Sequence, residues 1–372
     1  MQSKDLFRKG EELNHLRNYT EALECYDQII SLEPSNVEAY IQKGKTLFNL
    51  EEYEEGLECH EKAISLGPNK ATTYNDKGKG LAELGRFDEA MECFDKALSL
   101  EPDLADAYIQ KGNILFNLKK YKEGLEFYDQ ALSLGCSDAS VYNGKASALV
   151  EIGKIDEAIE CFDKSISLDP EDIDEYIQKG DLLFGLKKYE EGLECYNKAI
   201  SLGYEEAGCY NNKGNALLEL ERYNEAIECF DKAISLDPEY VDACYNKGVA
   251  LRELKKYNEA IEYFNKVLSR KPEDSETHYG KGTALQELKK YEEAIGCFQT
   301  ACKLNPEDFR CYLCLAEIFE SLGGQKDALR SLKRARFALG DCKSSSFELE
   351  GYIGNGIIRL EAKEATLMKE YS

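Results

Sequence analysis

The sequence predicts an all-α chain: a solenoid of about ten helix-turn-helix repeats of 34 residues, closed by a C-terminal helix. Three observations predict it. Lys-Gly recurs at Lys9-Gly10, Lys43-Gly44, Lys77-Gly78, Lys111-Gly112, Lys179-Gly180, Lys213-Gly214, Lys247-Gly248 and Lys281-Gly282, each 34 residues from the next, with one step of 68 where Lys145-Ala146 stands in. Within a period, apolar residues recur at spacings of three and four in two runs, the pattern of two amphipathic helices. The second run usually ends before a proline, which cannot continue a helical ladder and keeps its predecessor out of helical geometry.

With the glycine as the eighth residue, the repeats are 3–36, 37–70, 71–104, 105–138, 139–172, 173–206, 207–240, 241–274, 275–308 and a divergent 309–342. The seventh shows the logic. Tyr210, Gly214, Leu217, Leu218 and Leu220 form one helical stripe, Glu221-Arg222 breaks it, and Ala226, Ile227, Phe230, Ala233 and Ile234 form the next, ended by Asp237-Pro238. Position eight is Gly or, at Ala146 and Ala316, alanine. Position twenty is always Gly or Ala, and position twenty-four is aromatic except at His60 and Leu332. Glycine inside a helix costs about 1 kcal/mol against alanine, so its persistence implies an approach between the two helices too close for a larger side chain.

These residues resemble the tetratricopeptide repeat family over about nine tenths of the chain. That family carries an aromatic at position four (here Tyr40, Tyr74, Tyr108, Tyr142, Tyr176, Tyr210 and Tyr312), Gly or Ala at eight, Ala at twenty, an aromatic at twenty-four and Pro at thirty-two (Pro34, Pro68, Pro102, Pro170, Pro238, Pro272 and Pro306). Lys at position seven departs from it, since the family often has Leu there. The resemblance implies a right-handed superhelix with an inner groove for peptides or proteins. It also implies that the first helix of each repeat lines that groove through positions two, five, six, nine, twelve and thirteen.

Those positions hold an amide-rich set: Gln42, Gln110, Gln178, Asn212 and Asn246 at six, Asn75, Asn143 and Asn211 at five, and Lys45, Lys79, Asn113 and Asn215 at nine. Asn and Gln both donate and accept hydrogen bonds, so such a ladder suits the main chain of an extended peptide. Ile41 with Phe48, Ile109 with Phe116 and Ile177 with Phe184 add apolar pairs seven residues apart on one helix face, unless they pack between repeats. One subclass of the family grips acidic chaperone tails with a two-carboxylate clamp. No three consecutive repeats supply its Lys and Asn pattern, so that mode is not expected.

Alternate repeats are more alike than neighbours. Tyr-Ile-Gln-Lys-Gly falls at 40–44, 108–112 and 176–180, and only these three repeats have Gly at position twenty, so the deeper period there is 68 residues. Residues 343–372 read as linker and cap. Lys343 to Ser346 suggest a turn and helix start, Gly351, Gly354 and Gly356 interrupt a long helix, and Ile357, Ile358, Leu360, Ala365, Leu367 and Met368 form the closing helix. Lys333 to Arg336, the one basic cluster, reads as a complement to a helix dipole or as an anchor for an acidic partner.

The net charge of −24 disfavours nucleic acid and anionic membranes and favours neutral, apolar or basic protein partners. The first ten residues contain Lys4, Arg8 and Lys9 but no apolar run, so no secretory signal is expected, and no 18-residue apolar stretch suggests a membrane span. Fourteen cysteines without such a signal fit a reducing cytoplasm. Seven occupy position twenty-three, too far apart in stacked repeats for disulfides, and read as small apolar packers. Cys311-x-x-Cys314 is half of a zinc pattern at most, and Gly44-Lys45-Thr46 lacks the first glycine of a phosphate loop. His15, His60 and His278 have no nucleophile beside them. No cofactor, metal or catalytic residue is expected. The reading is a non-enzymatic scaffold or adaptor, monomeric without its ligand. The alternative is a structural assembly protein or a self-associating subunit of a larger complex.

Overall fold

A computed structural model of the chain describes residues 2–67, 70–340 and 352–362. The described residues are helical, with no strand among them. They divide into two compact units, residues 1–175 and 176–372. The first contains the hairpins α1 (Gln2–His15) and α2 (Tyr19–Leu32), α3 (Val37–Asn49) and α4 (Tyr53–Leu66), α5 (Ala71–Glu83) and α6 (Phe87–Leu100), α7 (Ala105–Asn117) and α8 (Tyr121–Ser133), and α9 (Ala139–Glu151) and α10 (Ile155–Leu168). The division falls in α11 (Ile173–Gly185). The second unit continues with α12 (Tyr189–Ser201), α13 (Ala207–Glu219), α14 (Tyr223–Leu236), α15 (Val241–Glu253), α16 (Tyr257–Arg270), α17 (Ser275–Glu287), α18 (Tyr291–Leu304), α19 (Phe309–Ser321) and α20 (Gln325–Gly340). A final helix, α21, spans 352–362. Pro68, Cys342, the 343–346 turn, Gly351, Ala365, Leu367 and Met368 lie outside the described residues.

The recurrent glycine has a more specific reason than helix proximity. A Cβ on Gly214 would lie 2.5 Å from Cε1 of Phe230, one on Gly78 2.6 Å from Phe94, and one on Gly112 2.7 Å from Tyr128. The position-eight glycine is the seat of the position-twenty-four ring of the same hairpin. These rings are the largest fully buried side chains: Tyr26, Phe94, Tyr128, Phe162, Tyr196, Phe230, Phe264 and Phe298. Each contributes about 1.5–3 kcal/mol by leaving water. A buried tyrosine must place its hydroxyl. Tyr128 donates to Asn113 Oδ1 at 2.7 Å, Tyr196 to Asp181 Oδ1 at 2.6 Å, and Tyr26 accepts from Asn14 at 3.1 Å.

In five repeats the lysine at position seven ties its hairpin to the one before it. Lys43 reaches Asp27 at 2.6 Å, Lys77 reaches Glu61 at 2.9 Å, Lys111 reaches Asp95 at 2.6 Å and Lys145 reaches Asp129 at 2.6 Å; Lys247 pairs with Asp231 in the same way. Where the family often has Leu, this chain thus has an ion pair between repeats. It is most shielded at Lys111 and Lys247, which also lie over the rings of Phe127 and Tyr263.

The turn inside each hairpin is uniform. The residue after the first helix and its C-cap is left-handed in every described repeat: Arg17, Glu51, Gly85, Lys119, Gly153, Lys187, Glu221, Lys255, Lys289 and Gly323, with φ between 59° and 79°. The next N–H returns to the helix, as in Glu52 to Leu47 at 2.9 Å and Lys256 to Leu251 at 2.9 Å. This closure satisfies an otherwise orphaned helix-end carbonyl and holds non-glycine residues in a conformation they ordinarily avoid. The 68-residue alternation appears at the other corner. Second helices α4, α8 and α12 lead into left-handed Gly67, Gly135 and Gly203, whereas α6, α10, α14, α16 and α18 end in residues outside the left-handed region.

Two repeats break the ring rule, with Leu332 in the tenth and His60 in the second. His60 replaces the aromatic, Phe48 leans over it with ring centroids 5.1 Å apart, and Phe48 fills the space that side chains on Gly56 and Gly80 would occupy. His60 is fully buried and neither ring nitrogen has a hydrogen-bond partner. Burial, followed by the charges of Lys45 and Lys77, pushes its pKa down to about 4.

The chain end is closed as the sequence predicts, with corrections. Ile353, Ile357 and Leu360 of α21 are buried in one cluster with Leu332, Ala335 and Leu339 of α20. Gly354 and Gly356 lie inside this helix and do not interrupt it, and a side chain on Gly356 would crowd Leu332 at 3.0 Å. Ile358 faces outward. Lys333–Glu361 at 2.7 Å and Arg359–Glu320 at 2.8 Å clasp the helix from either side.

Two outcomes follow. Gly214→Ala should cost about 1–2 kcal/mol, the strain of displacing Phe230 less the gain in helix propensity; urea unfolding checks it, and an unchanged midpoint would remove the ring-seat account. His60 is neutral in both folded and unfolded chains well above pH 6.5. As pH falls from there toward 4, the unfolded chain takes up the proton first, so stability is progressively lost, by about 3 kcal/mol. His60→Leu should remove that part of the slope of unfolding free energy against pH; identical slopes in variant and parent would refute it.

Candidate functional site

Within each unit, first helices of successive hairpins touch one another: α3 with α5, α5 with α7 and α7 with α9, and in the second unit α13 with α15, α15 with α17 and α17 with α19. The predicted groove residues lie along this layer. Polar residues bond across it in a recurring diagonal thirty-one residues long: the predicted Asn75 to Asp106 and Asn212 to Asp181, and, outside the predicted set, Arg252 to Thr283 and Gln286 to Glu317. Lys45 to Asp76, at 3.0 Å, follows the same diagonal.

In the first unit the network centres on two aspartates. Lys79 Nζ and Asn75 Nδ2 both lie 2.6 Å from Asp106 Oδ2, and Gln110 approaches its other oxygen at 3.5 Å. Burial works against ionisation of Asp106, but the Lys79 and Asn75 hydrogen bonds outweigh it and hold the carboxyl below its ordinary range. Asp76 is more enclosed, and there burial wins over Lys45 and raises the pKa. A cavity of about 450 Å³ opens beside this network, lined by Lys45, Phe48, Tyr53, Asp76, Lys79 and Glu83. Gln42 leans on Glu38 at 3.4 Å on the same layer.

In the second unit the amides form a relay. Asn246 Nδ2 donates to Asn211 Oδ1 at 3.0 Å, Asn211 Nδ2 to Asn212 Oδ1 at 3.4 Å, and Asn212 Nδ2 to Asp181 Oδ1 at 3.0 Å, the oxygen that also accepts from Tyr196. A cavity of about 320 Å³ adjoins it, lined by Asn211, Asn215, Tyr245 and Asn246 with Asp242, Lys271, Asp274 and Glu276 at its edge. Asp242 pairs with Lys271 at 3.6 Å and Glu276 with Arg310, so three carboxylates face two cations and the edge keeps an acidic excess at Asp274.

The remaining predicted residues are placed differently. Asn75 and Asn211 are buried. Asn113 serves the Tyr128 hydroxyl, and Asn143 hydrogen-bonds Glu175. Gln178 is exposed. Phe116 and Phe184 pack edge-on against Tyr121 and Tyr189, at 5.4 and 5.3 Å, and belong to hydrophobic clusters. Ile41 and Ile109 are buried while Phe48 borders the first cavity, so the two members of that pair serve different surfaces. Sequence reasoning missed Asp76, Asp106 and Asp181 as partners; their signal was the thirty-one-residue offset from Lys45, Asn75 and Asn212.

Among the described residues every cysteine is a free thiol, and no group of three or more His, Cys, Asp or Glu is placed to hold a metal ion. Burial pushes the thiols of Cys59, Cys93, Cys161, Cys229 and Cys297 upward, away from reactivity. No described helix is long and apolar enough to cross a membrane.

Family profiles match along these hairpins. Those described as tetratricopeptide repeat match residues 6–36, 37–70, 105–134 and 211–275, and one described as TPR repeat matches 78–119. The chain is a tetratricopeptide repeat protein. That membership makes it a protein-interaction scaffold, with protein or peptide partners. A profile described as anaphase-promoting complex, cyclosome, subunit 3 matches residues 151–233 and 253–335. No curated protein matches by sequence. Among solved structures, this tetratricopeptide repeat chain is similar to the APC/C hetero-tetramer Cut9-Hcn1 at 14% identity over 97% of this chain and 96% of that one, with a TM-score of 0.47. It is similar to YrrB, described as having an unusual peptide-binding site, at 26% identity over 49% and 94%, with a TM-score of 0.41. It is also similar to a tetratricopeptide repeat protein from Parabacteroides merdae at 20% identity over 67% and 99%, with a TM-score of 0.49.

Asp106→Ala should destabilise the protein by about 1–3 kcal/mol, because it leaves buried Asn75 without its acceptor. Urea unfolding of Asp106→Ala against Asn75→Ala/Asp106→Ala checks it: the double variant should recover part of the loss, and strictly additive effects would refute the coupling.

Proposed function

We propose that this chain is a non-catalytic cytoplasmic adaptor that binds an extended segment of a partner along its first-helix layer. The observation that carries the reading is the cavity beside Asn215 and Asn246, where an amide relay meets an acidic edge. Amides there supply donors and acceptors for an extended main chain, and Asp242, Asp274 and Glu276 favour neutral or basic side chains over acidic ones. The amides bonded across repeats hold the layer in register, and Asn215, Asn246, Lys45 and Lys79 border the space that a peptide would fill. The chain is monomeric until its partner binds.

Structural assembly is the second reading. The match to an anaphase-promoting complex subunit profile favours it, and sedimentation of the purified chain separates the two: a monomer across concentrations supports the adaptor.

Asn215→Ala/Asn246→Ala should weaken binding of a partner peptide by about tenfold, with the circular dichroism spectrum unchanged. The measurement is capture from a cell extract by parent and variant, followed by titration of the captured segment as a synthetic peptide. Equal affinity would place the contact elsewhere.

A further inference from the structure

The geometry points to a second docking site, for an acidic polypeptide segment bearing a large apolar side chain, on the outer face of α20 next to the chain end. A groove of about 640 Å³ runs there, with Lys326, Arg330, Lys333 and Arg334 around Tyr312, Leu329 and Phe337. Lys326, Arg330, Arg334 and Phe337 follow at spacings of three and four and share one helix face. Leu329 forms a buried floor, while Phe337 is 79% exposed, the most exposed large apolar side chain among the described residues. Among the described residues no carboxylate lines the groove. Two of the cations have ion partners outside it, Arg330 at 3.8 Å from Asp327 and Lys333 at 2.7 Å from Glu361. Lys326 and Arg334 have none among the described residues.

Helix-dipole compensation does not account for this cluster. The stabilisation of cations at a helix end fades within the last turn, and the last turn of α20 contains no basic residue. Charge complementarity selects the occupant. Four cations gathered on a chain of net charge −24 make a local field opposite to the rest of the molecule. Arginine guanidiniums take carboxylates in paired hydrogen bonds, and the exposed Phe337 ring beside Leu329 offers an apolar seat between them. A short acidic segment stays within the patch, inside a Debye length of about 8 Å. A nucleic acid or an anionic bilayer extends beyond it into the repulsion of the acidic repeats, as does a second copy of the chain.

Fluorescence anisotropy with the full chain tests the site. The probe is a fluorescein-labelled peptide of glutamates and aspartates around a central Leu-Phe; the control has every acid replaced by its amide. The acidic probe should bind, weaken with added salt, and bind at least about tenfold more weakly to Arg330→Glu/Arg334→Glu. Phe337→Ser should weaken it too, and both variants should keep the parent's circular dichroism. Asn215→Ala/Asn246→Ala, on the separate first-helix layer, should bind the probe like the parent. Equal affinity for acidic and amide probes, or undiminished binding by the charge-reversed variant, would overturn the proposal. So would tighter binding of phosphatidylserine vesicles or single-stranded DNA, or salt-sensitive dimerisation that the probe displaces.

Discussion

A buried ring opposite a small position-eight residue, glycine in seven hairpins and Ala146 in the fifth, holds those eight hairpins together, and the rest of the architecture depends on that contact. The glycine gives up about 1 kcal/mol of helix propensity so that a Phe or Tyr from the opposite helix can occupy the space of its missing side chain. The ring is then wholly buried, and its transfer from water outweighs that cost. Because the contact is internal to a hairpin, each repeat carries its own core. Where the ring is lost, neighbours compensate: Phe48 covers His60, and α21 packs on Leu332. The His60 exception leaves two buried nitrogens without partners, a cost that the ring repeats do not bear.

Between hairpins the interactions change in kind. Lysines of the repeated phrase reach back to the preceding hairpin, and amides and carboxylates of the first helices reach forward along thirty-one-residue diagonals. Exposed pairs of this sort are individually weak. Those with a buried member, such as Asn75 with Asp106, matter more because a broken bond strands a desolvated group. The same polar residues thus serve both cohesion and recognition. The two cavities open where a first-helix amide or lysine has a neighbour on one side and open space on the other.

Much of the fold was legible in the sequence because its causes are local and repeated. Helical spacing, helix-ending prolines and the Gly-aromatic pair all act within one 34-residue period, so a single repeat carries the whole rule. The site was legible only in part. Positions five, six and nine were recognisable as one helix face, but whether Asn113 meets a peptide or the hydroxyl of Tyr128 depends on whether position twenty-four is Tyr or Phe. Phe116 and Phe184 occupy the same position as Phe48 yet pack edge-on against a tyrosine, because their repeats keep the full-sized Tyr128 and Tyr196 rings where the smaller His60 admits Phe48.

By itself the sequence determined that the chain is helical, that its helices pair, where each pair turns, and that a last helix closes the end. These follow from periodicity, backbone sterics and the volume of one ring over one glycine. Only the tertiary structure decided which polar side chains tie repeats together and which border open space, and that the basic face of α20 is a groove and not a dipole cap. Those outcomes depend on the offset between stacked helices. That offset brings together residues thirty-one or sixteen apart, distances at which no single helix or turn constrains the chain.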